Sequence, residues 1–331
     1  MALNLKDYIS GLGVGEPLSC DNLTVFPLAC PQTPEEEPFS YLLLEEALNL
    51  HTFEIGEVSE AGDVNAVIIT NMTGVPVLIL DGEEILGAKQ NRMVNATTLV
   101  DAGKKTKVPV SCVERGRWRY SSEKFDRSGS FGYSTLRRQK SEQVFCSLQA
   151  NRSYAADQGA IWEEIDRKQA SAGSRSATDA LHDLYDNLDD EIGKIVENLE
   201  AAEDQCGHIV FINNRFACLD LFDQPATLHK LWPKLVKSYA VEALEAKSKK
   251  AASSEPEPAA VLSAAANSDC IAFPSVGLGR DLRLTGSGII GAGLALDDRV
   301  IHLSVFERGR DEGENSRGRI YRPSQRRRNL R

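Results

Sequence analysis

Long apolar runs are missing from this chain. None approaches the roughly 18–20 residues that a membrane-spanning helix needs, which excludes a helical membrane protein. An export leader is missing as well: MALNLKDYISGLGVG has neither an apolar stretch nor a small-residue cleavage site, and we expect no signal peptide. The seven cysteines (20, 30, 112, 146, 206, 218 and 270) form an odd set with no CxxC spacing. That argues against a disulfide framework and a zinc ribbon, and for reduced thiols in a cytoplasm. His51, His182 and His229 stand apart without metal-ligand spacing, so no metal-binding residues are assigned. A dinucleotide fingerprint is also lacking. GLGVG (11–15) is incomplete, and GSGIIG (286–291) is followed by strand-like AGLALDDRVIHLS where the fingerprint needs a helix.

What remains is ordinary globular material, 42% hydrophobic and 26% charged, in 331 residues that suffice for two domains or one with insertions. The net charge of −10 is unevenly spread. Residues 309–331 hold eight arginines against Asp311, Glu312 and Glu314, a local +5, which leaves about −15 on the rest. So acidic a body does not attract nucleic acid, and weak RNA contact through the tail is the exception.

The expected class is α+β: a β-sandwich or barrel-like N-terminal half, a helical middle and C-terminal strands joining the β core. Residues 1–120 read as β-rich, with a short helix around Leu5–Leu12, strands at 22–30, 64–71, 75–82 and 107–114, and a hairpin-type turn at NMTG (71–74). Residues 121–206 read as a polar loop, SSEKFDRSGSFGYSTLRRQKS (121–141), followed by two or three amphipathic helices, with Ser176 or Thr178 as an N-cap. Residues 207–246 suggest a hairpin turning at Asn213-Asn214 and a helix. Residues 247–268 have the composition of a disordered linker, 269–308 that of strands (270–277, 286–297 and 299–307), and 309–331 that of a disordered tail.

The chemistry-bearing stretch is DGEEILGAKQNRMVNATTLVDAGKKTKVPVSCVERGRW (81–118). Asp81, Glu83 and Glu84 follow one another at a turn, and strand alternation lets at most one of the two glutamates share a face with Asp81. Such carboxylates suit general acid–base work or a Mg²⁺ ion; an isolated DGEE reads more simply as a solvated turn. Lys89, Gln90, Asn91 and Arg92 come next, and Glu114, Arg115, Arg117 and Trp118 close the following strand. Arginine forks hold phosphate or carboxylate, amides orient hydroxyls or a base, and tryptophan stacks. The plainer alternative is a network of internal salt bridges. Cys112 reads as a small buried hydrophobe, and His302 or His208 as the histidines able to approach it in space.

NLTVFPL, VPVLILDGEEILGAKQNR and VPVSCVERGRW, followed by DLRLTGSGIIGAGLALDDRVIHLSVF, resemble the ARG and rhodanese-phosphatase-superfamily-associated protein domain family over most of residues 10–307. In that name ARG stands for ADP-ribosylglycohydrolase. The resemblance implies association with ADP-ribose and phosphate chemistry, and Asp81, Glu83, Glu84, Gln90, Asn91, Arg92, Glu114 and Trp118 as motif positions. It carries over no reaction. The linker and the arginine tail look like additions of this chain.

The reading is a cytoplasmic protein that binds an ADP-ribose-like or other phosphorylated nucleotide, with turnover left open. Glu83 or Glu84 serves as base or Mg²⁺ ligand. Arg92 with Arg115 or Arg117 holds phosphate, Gln90 and Asn91 hold ribose or base, and Trp118 stacks; Asp81, Lys89 and Glu114 are counted with the ligand-binding residues. The alternative is a non-enzymatic scaffold whose polar cluster is structural, and a third reading is an RNA-associated factor.

Overall fold

The computed structural model describes residues 4–30 and 38–308. Among these, the fold is mixed α+β and its strands fall into three groups. The first is a nine-stranded antiparallel sheet assembled from both ends of the chain. Strands Gly13–Val14 and Leu18–Cys20 border Leu23–Ala29, which pairs with Gln205–Ile212. Arg215–Phe222, Arg299–Glu307, Ile289–Leu296, Arg280–Gly286 and Asp269–Pro274 follow in that order. The second is a closed barrel running Lys104–Cys112, Ala66–Asn71, Phe53–Glu57, Phe125–Phe131, Glu83–Gly87 and Arg92–Val94. The third is a small sheet of Thr98–Val100, Val77–Ile79 and Leu42–Leu43.

Alternation explains the barrel. Phe53 and Ile55, Val67 and Ile69, Val108 and Val110, together with Ile85, Val94 and Phe125, fill its interior. Each such side chain contributes about 1.5–3 kcal/mol by leaving water. The large sheet is covered on both faces. On one side Ile209, Leu219, Leu303 and Val305 pack with Val261, Leu262 and Ile9 from helices Pro258–Ala266 and Leu5–Ser10. On the other, Val210, Cys218, Leu294 and Phe306 share a core with helices Ser134–Asn151 and Pro225–Ala246 and with barrel residues such as Met93 and Phe131.

The hairpin at Asn213-Asn214 forms as expected, both asparagines taking positive φ of 50° and 61°. Several expectations are corrected. Cys30 and Cys206 form a disulfide with Cα atoms 5.6 Å apart, so the thiols are not all reduced; Cys30 directly follows the strand Leu23–Ala29, which pairs with the strand holding Cys206 although 176 residues separate the two cysteines in sequence. NMTG does not turn a hairpin, because Ala66–Asn71 and Val77–Ile79 belong to different sheets. Asn71 instead donates its side-chain amide to the carbonyls of Val75, Val100 and Asp101.

The 121–141 segment is not a loop. Phe125–Phe131 completes the barrel, burying Ser128 and Ser130 and breaking register between Arg127 and Phe131, and a helix begins at Ser134. The middle holds four helices: Ser134–Asn151, Gln158–Ala172, Leu181–Asn187 and Asp189–Glu197. Neither Ser176 nor Thr178 is an N-cap; Ala180 occupies that position and donates its N–H to Ser176 Oγ at 2.8 Å. The supposed linker 247–268 contains the helix Pro258–Ala266, and Arg280–Gly286 is a strand that we did not expect. The arginine tail lies wholly outside the described residues. No helix among the described residues is long and apolar enough to cross a membrane.

Candidate functional site

The polar motif divides into two halves with different fates. Asp81, Glu83 and Glu84 are all buried, and each meets a different helix. Asp81 receives Lys140 Nζ from Ser134–Asn151. Glu83 accepts the Leu80 N–H at 3.0 Å and pairs with Lys234 of Pro225–Ala246 at 3.2 Å. Glu84 accepts from Ser128 Oγ at 2.7 Å and lies 3.6 Å from His182 Nδ1 on Leu181–Asn187. The glutamates diverge as strand alternation requires, and the three carboxylates do not converge on one point. His182 is raised above its ordinary pKa by the neighbouring Glu84 carboxylate, against the effect of burial. Glu84 Oε1 is buried without a hydrogen-bond partner.

The second half gathers at one end of the barrel. Glu57, Gly87, Arg92, Cys112 and Phe125 are the strand ends there, so the connections 58–65, 88–91 and 113–124 all converge on it. Glu114 is the organiser of the outer layer. It takes Arg117 Nε on both oxygens (2.8 and 2.9 Å), the Asn91 N–H at 3.1 Å and Thr178 Oγ1 at 2.9 Å. Burial alone would raise its pKa, but these donors hold it below the usual carboxylate range. Asn91 Oδ1 accepts from Gly87 N–H and Arg117, and Gln90 donates to the Glu114 carbonyl at 2.6 Å. Arg115 points away, half-exposed, to Asp166 at 3.0 Å.

Inside this layer sits Arg92. It shares the inward register of Val94, and Glu57 shares that of Phe53 and Ile55, so a cation and an anion top the apolar barrel interior. The Arg92 side chain is 0% exposed and that of Glu57 4%. Arg92 Nη1 donates to the Gln90 carbonyl at 3.2 Å and to Gln90 Oε1 at 3.1 Å. Its Nη2 is 3.7 Å from Glu57 Oε1, too far for a hydrogen bond, and Nε, Nη2 and Glu57 Oε2 are buried without hydrogen-bond partners. The Trp118 ring, 37% exposed, lies 5.5 Å from the guanidinium. Lys89 Nζ lies 5.6 Å from the Trp118 ring and 5.1 Å from that of Tyr120, and donates to the Glu60 carbonyl. Gly62 completes the mouth: a Cβ there would meet Lys89 Cδ at 3.2 Å and Glu57 Oε2 and Trp118 Cζ2 at 3.3 Å.

Sequence reasoning overlooked Glu57, although HTFEIGE puts it on the same face as Phe53 and Ile55. It also overlooked a buried array on the inner face of the large sheet. Arg137 forks Asp220 at 2.9 and 2.6 Å; Tyr239 OH (2.7 Å) and Ser304 Oγ (2.8 Å) also donate to Asp220. His302 reaches Ser304 Oγ at 3.2 Å and Thr97 Oγ1 at 2.8 Å, and Thr97 Oγ1 accepts the Asp81 N–H at 3.0 Å. His208 meets Tyr239 OH at 2.6 Å and is pushed down to about 4 by burial. The two histidines therefore gather around Asp220, while Cys112 Sγ faces the Val64 carbonyl. The signal was a polar residue inside each apolar strand: Asp220 in CLDLF, His208 in GHIVF, His302 and Ser304 in VIHLSV.

Among the described residues no group of three His, Cys, Asp or Glu side chains could hold a metal ion. A cavity of about 250 Å³, lined by none of the motif residues, lies beside Tyr41, Glu46, Thr227 and Lys230. Tyr41 OH there meets Asp223 and Thr227, each at 2.5 Å, and burial pushes Asp223 up to about 6.

No curated protein and no solved structure matches this chain. The ARG and Rhodanese-Phosphatase-superfamily-associated Protein domain matches residues 11–306, a span that includes the barrel, its polar mouth and nearly all of the large sheet, and the chain belongs to that family.

Proposed function

We propose that this protein binds a phosphorylated nucleotide-like ligand, ADP-ribose being the representative we would test, at the barrel mouth formed by Arg92, Glu57, Gln90, Lys89 and Trp118. The observation that supports this most is Arg92: a wholly buried guanidinium with two nitrogens lacking hydrogen-bond partners, beside a half-open tryptophan face. Leaving such donors unmet costs about 1–3 kcal/mol, so sequences retain them where something else meets them. Small barrels commonly bind ligands at their mouths. Arg117 and Asn91 are engaged by Glu114, so they act as the frame, and Arg115 lies outside it.

The test is calorimetric titration of ADP-ribose into the wild type and Arg92→Lys. The ammonium keeps the charge and loses the planar fork, so affinity should fall by about 1–3 kcal/mol with the fold intact. Equal affinities, or no binding by the wild type, would remove the reading.

A scaffold is the second reading, favoured by the first half of the motif. Asp81, Glu83 and Glu84 each tie the barrel to a separate helix. In our proposal Glu83, engaged by Lys234 and a backbone N–H, carries no catalytic work, and Glu84 beside His182 is the carboxylate left for it. A cytoplasmic place of action remains part of the proposal because phosphorylated nucleotides are held inside cells. The Cys30–Cys206 bond weighs against it, since such crosslinks persist in oxidising compartments. Thiol counting on protein isolated under alkylating conditions decides between them. The RNA-associated alternative drew on residues 121–140, which supply the barrel strand Phe125–Phe131 and the start of the helix Ser134–Asn151, and on the tail, which lies outside the described residues.

A further inference from the structure

The Arg92–Glu57 pair constrains what the mouth accepts more narrowly than a phosphate fork does. Three buried atoms lack hydrogen-bond partners: Nε and Nη2 of Arg92, which are donors, and Oε2 of Glu57, which is an acceptor. A phosphate oxygen would satisfy the arginine and leave the glutamate worse off, because it offers no hydrogen and brings a second negative charge close to a carboxylate with 4% side-chain exposure. A hydroxyl satisfies both, since it donates to one partner and accepts from the other. Two neighbouring hydroxyls fit better still, as there are two free donors.

The surroundings agree with that reading. Trp118 offers a flat apolar face 5.5 Å from the guanidinium, the surface on which the carbon side of a sugar ring packs. Glu57 Oε2 and Trp118 Cζ2 both lie 3.3 Å from the point where a Gly62 Cβ would stand, so a side chain at 62 would crowd the acceptor and the ring together. Glu57 is held in place by its other oxygen, Oε1, which accepts the Lys89 N–H at 3.3 Å. The ammonium of Lys89 is farther out, at the Glu60 carbonyl and over the Trp118 and Tyr120 rings, where a ligand's charged end would face solvent.

We infer that Glu57 is the specificity-determining residue of the barrel mouth: with Arg92 it binds the vicinal hydroxyls of a sugar, and it rejects an oxyanion at that point, so that the phosphate of the ligand lies outside, toward Lys89. This rests on the proposal that the mouth binds a phosphorylated nucleotide-like ligand, and it fixes the orientation of that ligand. Arg92→Lys weakens binding in either orientation; Glu57 separates them.

The experiment compares ADP-ribose with inorganic pyrophosphate on the wild type, Glu57→Gln and Glu57→Asp, with a thermal melt of each variant to establish folding. The wild type should bind ADP-ribose and bind pyrophosphate far more weakly. Glu57→Gln removes the charge, so ADP-ribose should weaken about tenfold, the loss of one hydrogen bond to a charged acceptor. Pyrophosphate should tighten as the repulsion disappears. Glu57→Asp keeps the charge and shortens the reach, so ADP-ribose should weaken while pyrophosphate stays poor. If either folded variant binds ADP-ribose within twofold of the wild type, or the wild type binds pyrophosphate as well as ADP-ribose, the inference is overturned while the ligand site stands. If the wild type binds neither probe, the site itself is overturned.

Discussion

Arg92 and Arg137 are both fully buried guanidiniums in the same chain, and they are treated in opposite ways. Arg137 is met on both Nη atoms, by a bidentate carboxylate and by Ser304 Oγ, with its Nε lacking a hydrogen-bond partner and the Phe131 and Phe306 rings 4.9 and 5.1 Å away. Asp220 is in turn held well below the carboxylate range by Arg137, against the upward push of burial. Arg92 has one satisfied nitrogen, a carboxylate at 3.7 Å and a tryptophan that is partly in water. A guanidinium with its acid already in place is structural; one whose donors are unmet beside an open aromatic face is available. Burial alone does not distinguish them. The carboxylate does: it is at hydrogen-bond distance from both Nη atoms of Arg137 and 3.7 Å from Arg92, which leaves Arg92 with two unmet nitrogens against one.

The comparison can be broken by mutation, and the largest effect belongs to the bidentate Arg137–Asp220 pair. Arg137→Met leaves Asp220 charged in the interior, and the protein should lose about 3–5 kcal/mol in denaturant unfolding. Arg92→Met should lose less, about 1–3 kcal/mol, because fewer bonds are forfeited and Glu57 retains the Lys89 N–H. An equal or larger loss at Arg92 would mean that the mouth is structural and that the scaffold reading is the better one.

A smaller effect sharpens the contrast within the motif itself. His182 has a folded pKa above 6.5 because the Glu84 carboxylate lies beside it, so its contribution is complete below pH 6.5 and is lost as pH rises through the folded value. The side chain is 29% exposed, so the amount is less than about 1 kcal/mol. Stability measured from pH 6 to 9 should decline by that amount in the wild type and not in His182→Gln. A matching decline in both proteins would separate Glu84 from His182 in function as well as in energy.

Much of this was legible in the sequence, and what was not has physical causes. The α+β class, the Asn213-Asn214 hairpin and the helix Pro225–Ala246 follow from alternation, turn chemistry and helical periodicity, all local signals. The barrel strand Phe125–Phe131 was hidden because its sequence, FDRSGSF, buries serines, which satisfy their hydroxyls on Glu84 and His182 after folding. The Cys30–Cys206 bond depends on Leu23–Ala29 crossing to pair with Gln205–Ile212, a long-range event that no spacing rule shows. For the site, Gln90, Asn91, Arg92, Glu114, Arg117 and Trp118 were named from residue type, and the structure assembles them at one barrel end. The dispersal of Asp81, Glu83 and Glu84 to three helices was not readable, because it depends on which helices dock where.

The central claim is that the barrel mouth under Trp118 receives a ligand. Titration of ADP-ribose followed by tryptophan fluorescence tests it most directly, because Trp118 lies over Arg92 whereas Trp232 is buried with its indole N–H donated to the Leu199 carbonyl. The account predicts a saturable change in the wild type that is absent from Trp118→Phe. An unchanged spectrum in the wild type, or the same saturable change in both proteins, would contradict it.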